Sequence, residues 1–484
     1  MTHKNPYTGM TWAEDPAFFC VNLINEEVLS GNWSRVPGAA KLYREKFEKW
    51  CADRKLGKQS VSSGNRYFRK FLHELQSAVL AEQIDYVKNT LKVRGLVTSL
   101  NYMYDVPLTL QRDTFDVVDN HQYYDHPTFP EVAWRNPSRY SQGSALKLMA
   151  QLPRMMMPTR VFGKPFFVTE FNYCNPNFNR VEVGPMVGGY AALQNWDALW
   201  RFAWSHSAGS IYKVPAPGGF DAAGDPLAQF SDRIAIAMFL RGDVEQAKVS
   251  YAYQVPKNIF DRPEEPLSYS SDFQNLGLIA QIGSVVEGAR SLPGVVMLNS
   301  KQASDPAALV DRKIAELWEQ ANSSRVAVSS TGQIRLDASK QTFTVVSPRT
   351  ESITLPRGDL AAGTLRVRDA SGLQTVAAIS LDSEPLASSR SVLVFQLVNI
   401  YPTGLTFSND TLKLKQKDGW LPVLIRKESA TIELATDRPF KVTALNCDGK
   451  AYGEVKGAVE DGVFRFKAET TMFPGGVMAY HLTR

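Results

Sequence analysis

Two glutamates stand at the ends of apolar runs, where a carboxylate is expensive unless it is paired or used. Glu26 follows FFCVNLI in the stretch LINE, and Glu170 closes PFFVTEF. The other apolar runs also end in side chains able to meet a substrate: Asn101 and Tyr102, His121 and Tyr123 in DNHQYYDHP, and Trp204 and His206 in WRFAWSHS. Asn25 precedes the first glutamate and Asn172 follows the second. Two carboxyls flanking one substrate are what cleavage of a glycosidic bond requires. One protonates the leaving oxygen, and the other attacks the anomeric carbon or activates a water; direct attack needs the carboxyls about 5–5.5 Å apart. Aromatic rings supply faces for the apolar C–H side of a sugar; Trp12, Trp33, Trp134, Trp196, Trp200, Trp204, Tyr123 and Tyr173 are candidates.

Converging strand ends require an element pattern that brings them together. Residues 1–247 alternate short apolar runs with helical stretches. Strands are expected at Ala17–Ile24, Gly95–Tyr102, Phe115–His121, Pro165–Phe171 and Ala198–Trp204. Helices are expected at Ala39–Asp53, Tyr67–Leu91, Gly143–Met156 and Gly188–Trp196. Such alternation predicts βα units around a parallel sheet. The near-continuous apolar runs suit strands buried on both faces, as in a barrel. In a barrel the C-terminal mouth gathers the ends of all strands. Residues 248–325 read as a mixed α/β region. From Arg325 short strands alternate with Gly, Asp, Asn and Ser turns, the pattern of an all-β sandwich; it divides into a β domain over 326–410 and a further β segment over 411–484.

These residues, in this order, resemble the retaining glycoside hydrolases of clan A, (β/α)8 barrels of the TIM type. Asn25-Glu26 is similar to the clan's Asn-Glu pair on the fourth strand, where the Glu is general acid/base. His121 and Tyr123 resemble the His-x-Tyr element of family 5, Glu170 the nucleophile of the seventh strand, and Trp204 the sugar-lining Trp of the eighth. The resemblance covers roughly residues 5–247, and the β segments after it resemble large bacterial family 5 and family 42 relatives. It implies a β-linked poly- or oligosaccharide substrate, Glu26 and Glu170 as catalytic residues, and Asn25, His121, Tyr123 and Trp204 as substrate-binding residues, with no metal and no cofactor. Asn101, Asn172 and His206, at the ends of the same apolar runs, are expected to join them in binding substrate. Only 25 residues precede Glu26. The barrel is therefore expected to be incomplete, with strands four to eight present and the nucleophile-supporting Arg of the second strand missing. Open strand edges predict self-association. The same incompleteness raises an alternative, a catalytically inactive carbohydrate-binding or structural fragment.

Other readings compete for the same residues. Glu26 beside Glu27 also fits a solvated strand end. His121 and His126, with Asp119, Asp125 and Glu170, suggest a metal-dependent hydrolase, although His-x4-His on a strand-to-loop segment is not a compact zinc pair. Cys20, Cys51, Cys174 and Cys447 lie far apart, form no CxxC pair, and read as free thiols. The 54 basic and 49 acidic side chains give a net charge of +5 without a basic block, which argues against nucleic acid. No apolar run reaches the length of a membrane span. The opening MTHKNPYTGMTWAEDP lacks the apolar centre of a signal peptide. The resemblance nonetheless implies a secreted or periplasmic parent.

Overall fold

The computed structural model describes residues 1–436 and 438–484. Five strands of the first half run parallel and in chain order. β1 (Cys20–Asn22) pairs with β2 (Leu96–Thr98), Cys20 opposite Leu96. β3 (Val118–Tyr124), β4 (Phe166–Tyr173) and β5 (Ala198–Arg201) form a second ladder with β4 at its centre. No ladder joins β2 to β3. Instead the Asp116 amide donates to Val97 O (3.0 Å), the Asp116 carboxylate accepts from Val97 N (2.9 Å), and Thr98 Oγ1 donates to Asp119 (2.7 Å). Among the described residues β1 and β5 each have a strand partner on one side only.

Between β1 and β2 the chain forms α1 (Pro37–Asp53) and α2 (Arg66–Asp85). Proline at the first helical position starts α1. The Asn65 side chain accepts from Tyr67 N and caps α2. Phe68, Phe71 and Leu72 share one face of α2, the i, i+3, i+4 spacing, and pack on Phe47, Trp50 and Cys51 of α1. The helix expected over Gly143–Met156 is shorter and begins at Gln151. Pro153 explains this: it has no N–H to donate and fits only a first turn. Met149 and Ala150 precede it in the left-handed region, with φ of 57° and 53°. The helix expected at Gly188–Trp196 lies earlier, at Val183–Leu193. A Cβ on Gly184 or Gly188 would fall 2.5–2.6 Å from backbone atoms of Ser231 and Ala235, so glycine permits that crossing with helix Pro226–Ala235.

Residues 248–325 add a three-stranded parallel sheet, Ser250–Val255 between Gln281–Val286 and Val295–Leu298. This segment is not separated by a core of its own. Tyr251, Ile282 and Trp318 belong to the same apolar cluster as Val118, Phe166 and Val168.

The C-terminal region is antiparallel. A nine-stranded sheet runs in space from Val326–Val328 to Ala451–Val455, and a five-stranded sheet from Gly358–Ala362 to Gly457–Glu460. Ile353, Val376 and Val394 of the larger sheet pack on Val367, Ile432 and Phe466 of the smaller. The expected division at residue 410 does not separate the sheets. The last strand, Ala479–Thr483, lies between Ser391–Leu397 and Lys441–Leu445, so segments 326–410 and 411–484 interleave. No described helix is long and apolar enough to cross a membrane, and all four cysteines are free.

Candidate active site

The C-terminal ends of β1 to β4 converge on two carboxylates. In the β3–β4 ladder His121 lies opposite Glu170 and Tyr123 opposite Asn172, beyond a register shift between Asn120 and His121. Glu26 comes from the turn after β1. Its φ of 53° is left-handed, unusual for a non-glycine residue and worth about 1–3 kcal/mol of local strain. Both sides of its peptide are clamped: Asn101 Oδ1 accepts from Glu26 N (2.7 Å), and Asn32 Nδ2 donates to Glu26 O (3.1 Å). The loop bearing Asn101 is fixed in turn by the buried Arg112, which donates to the carbonyls of Leu100, Tyr102 and Met103.

His121 links the parts. Its ring is buried, with Nδ1 3.0 Å from Glu26 Oε1 and 3.5 Å from Glu170 Oε2. Nε2 lies 3.0 Å from Asn101 Nδ2 and 2.8 Å from Thr169 Oγ1. Thr169 spends its own proton on Asp119, which also accepts from Thr98. Tyr123 donates its hydroxyl proton to Glu170 Oε2. The hydrogen bond from His121 holds the Glu26 carboxyl below the ordinary carboxylate range, against burial, which pushes the other way. Burial, then the hydrogen bond to Glu170, pushes the Tyr123 phenol well up, so it remains a donor.

Above these groups opens a cleft of about 560 Å³. Asn25, Glu26, Tyr123 and Glu170 form one part of its lining. Trp134, Phe202 and Phe220 supply aromatic walls, and His126, His206 and Asp221 complete the polar lining. Phe220 is the hub of the rings, with centroids of Tyr123, His126, Phe202, His206 and Trp134 between 5.4 and 6.2 Å away.

No protein-family model matches this chain, and no curated protein matches it. The reading of the site therefore rests on its own geometry.

Of the residues expected to bind substrate, Asn25, Tyr123 and His206 line the cleft. Asn101, His121 and Asn172 are buried behind it and position other groups. Asn172 Nδ2 donates to the carbonyls of Phe202 (2.6 Å) and Phe220 (2.8 Å), while its Oδ1 accepts from Arg201. Trp204 is 56% exposed and absent from the lining; Phe202, two residues earlier, takes that place. Of the other aromatics proposed for stacking, Trp134 does face the cleft, whereas Trp196 and Tyr173 are core residues and Trp33 packs edge-on against Phe68.

Glu26, His121 and Glu170 each offer one ligand atom, all within 4.8 Å of one another, a spacing that also suits a cation. His126 is outside that group, its Nδ1 being 2.8 Å from Pro127 O, so the pairing of His121 with His126 around a metal is corrected. Phe202, Phe220 and Asp221 were missed. The last two sit in VPAPGGFDAAGDP, whose Gly/Pro content marks a loop but says nothing of where it folds back.

Proposed function

We propose that this protein is a retaining O-glycoside hydrolase acting on β-linked poly- or oligosaccharides. The observation that carries the reading is the approach of Glu26 and Glu170 carboxylate oxygens to within 4.8 Å on the floor of an aromatic-walled cleft. An oxygen approach of that order agrees with the short carboxyl separation that direct attack by one carboxylate needs. The five parallel strands, with the site at their C-terminal ends, are read as strands four to eight of a (β/α)8 barrel.

Glu170 is the nucleophile. Its carboxylate oxygen bonds to the anomeric carbon as the glycosidic C–O bond breaks, and Glu26 gives its proton to the departing oxygen. Water then attacks the glycosyl ester, Glu26 takes the water's proton, and the Glu170 carboxylate is released. The Tyr123 hydroxyl donates a hydrogen bond to Glu170, and Asn25 hydrogen-bonds the sugar 2-hydroxyl. His121 holds the Glu26 carboxyl in place through Nδ1. Sugar filling the cleft shields the two carboxylates from solvent, which raises the proton affinity of Glu26 in the complex.

A second reading is an inactive carbohydrate-binding fragment, favoured by the unpaired outer edges of β1 and β5. Aryl 2-deoxy-2-fluoro-β-glycosides separate the two. Covalent mass addition on Glu170, lost in Glu170→Ala, supports the hydrolase. Sugar binding without any adduct supports the fragment.

A further inference from the structure

The loop from Pro217 to Asp221 closes one end of the cleft and is held from two directions. Asn175 binds it through its backbone N to Gly219 O (3.0 Å) and its side chain to Gly218 O (3.1 Å). Asn172, on the strand that carries Glu170, binds Phe220 O. On the other side Ala222 N donates to Ala203 O (3.0 Å) and Ala223 N to Trp204 O (3.0 Å). At the tip Asp221 accepts from His206 through both Nδ1 and the backbone N. Each Asp221 oxygen thus has one protein donor, and a carboxylate has about four acceptor positions. His206 Nε2 has no hydrogen-bond partner among the described residues. Both residues line the cleft beside Phe220.

Charge is the second observation. The chain carries a net +5, yet no Lys or Arg lines the cleft, while Glu26, Glu170 and Asp221 do. An acidic sugar would meet three carboxylates and no fixed cation, a like-charge arrangement that specific sites use to reject a partner. An uncharged ring meets apolar faces at Phe220 and Trp134, and its hydroxyls can donate to the open positions on Asp221.

We propose that Asp221, oriented by His206, is the specificity residue of this cleft: it accepts hydrogen bonds from neighbouring hydroxyls of an uncharged sugar and excludes uronic acids. This rests on the reading that a sugar occupies the cleft, and it does not require turnover. Because Asp221 sits on a loop pinned to β4, the hydroxyls it reads are in fixed register with the anomeric carbon that faces Glu170.

The test is binding, read by ligand-observed NMR titration of the full chain. The probes are the methyl β-glycosides of glucose, galactose, mannose and xylose, and methyl β-glucuronide. At least one neutral glycoside binds the wild type, with the glucuronide weaker by on the order of 100-fold. Asp221→Asn weakens that neutral glycoside about tenfold and narrows the gap to the glucuronide. His206→Ala shifts the same ratio in the same direction and provides a second variant if Asp221→Asn folds poorly. A purely structural Asp221 would weaken all probes together. An unchanged ratio, or a glucuronide that binds as tightly as the best neutral probe, overturns the proposal. Neutral glycosides that bind without labelling Glu170 overturn catalysis and leave this proposal standing. Binding of no neutral glycoside overturns the proposal and the sugar reading together.

Discussion

His121 Nδ1 and Glu26 Oε1 lie 3.0 Å apart, and this contact sets the resting protonation of the cleft floor. The hydrogen bond holds the Glu26 carboxyl below its ordinary range, so free Glu26 is ionised over most of the accessible pH range. A general acid must carry a proton when the leaving group departs. The sign follows: kcat/KM for alkyl β-glycosides, which depends on the free site, falls as pH rises through the lowered Glu26 value. The basic limb of kcat lies at higher pH, because bound sugar raises the proton affinity of Glu26. His121→Leu removes the donor and moves the basic limb of kcat/KM upward. Superimposable pH profiles for wild type and His121→Leu would sink this account.

Tyr123 acts on the other carboxylate. Its hydroxyl donates to Glu170 Oε2 and is itself pushed toward the protonated form by burial. A hydrogen bond to a charged group is worth about 1.5–3 kcal/mol, or roughly 10–100-fold in rate. Tyr123→Phe is therefore expected to lower kcat by that factor on aryl glycosides, with KM moving less. Steady-state kinetics on an activated aryl glycoside check it, and an unchanged kcat would show that the phenol does not support the nucleophile.

His73 gives the protein an acid weakness remote from the cleft. Burial, and then the Arg69 charge, push its imidazole down to about 4; the ring packs 5.1 Å from Phe260. The unfolded chain takes up this proton near pH 6.5, while the folded chain resists until about pH 4. Stability attributable to His73 is thus full above pH 6.5, declines as pH falls, and levels off below about pH 4. The whole effect is about 3 kcal/mol at most. Urea unfolding between pH 4 and pH 7 should be steeper in pH for the wild type than for His73→Gln; parallel curves would refute the assignment.

The parts of the fold that were legible in sequence are those written in local patterns. All five expected strands of the first half exist, because continuous apolar runs such as PFFVTEF have few alternatives to a buried strand. Glu26 and Glu170 were legible for the converse reason, since a carboxylate closing such a run stands out. The side of the strand on which each polar residue lies was not. Asn101 and Asn172 look alike in sequence to Asn25, yet they turn inward to hold backbone, and only their partners on other segments decide this. Trp204 was an obvious ring, but Phe202 is the residue in the lining. The interleaving of 326–410 with 411–484 depends on a last strand inserting between two earlier ones, a pairing no local pattern specifies.

The carboxylate of Glu182 ties the antiparallel region to the strand that bears Glu170. It is fully buried, and burial pushes its proton affinity up. Four donors answer it: Ser144 Oγ (2.6 Å), Gln341 Nε2 (2.8 Å), Tyr173 OH (3.1 Å) and Leu146 N (3.2 Å). Gln341 lies between strands Ile334–Asp337 and Thr342–Val346 of the large sheet, and Tyr173 is the last residue of β4, three positions after Glu170. Gln341→Ala removes one donor and is expected to destabilise the protein by about 1–3 kcal/mol. Glu182→Ala removes the acceptor of Ser144 and Leu146, leaves Tyr173 and Gln341 only their second acceptors, Gly143 O and Asn179 Oδ1, and opens a cavity, so its cost should exceed about 3 kcal/mol. If the network also sets the pitch of β4, Gln341→Ala lowers kcat and weakens neutral-glycoside binding together, because Asn172 pins the Phe220–Asp221 loop to that strand. Chemical denaturation and glycoside binding measured on the same variant read both effects; unaltered stability in Gln341→Ala would mean that this bond adds nothing to a coupling carried by the other contacts, such as Thr375 Oγ1 to Val181 O.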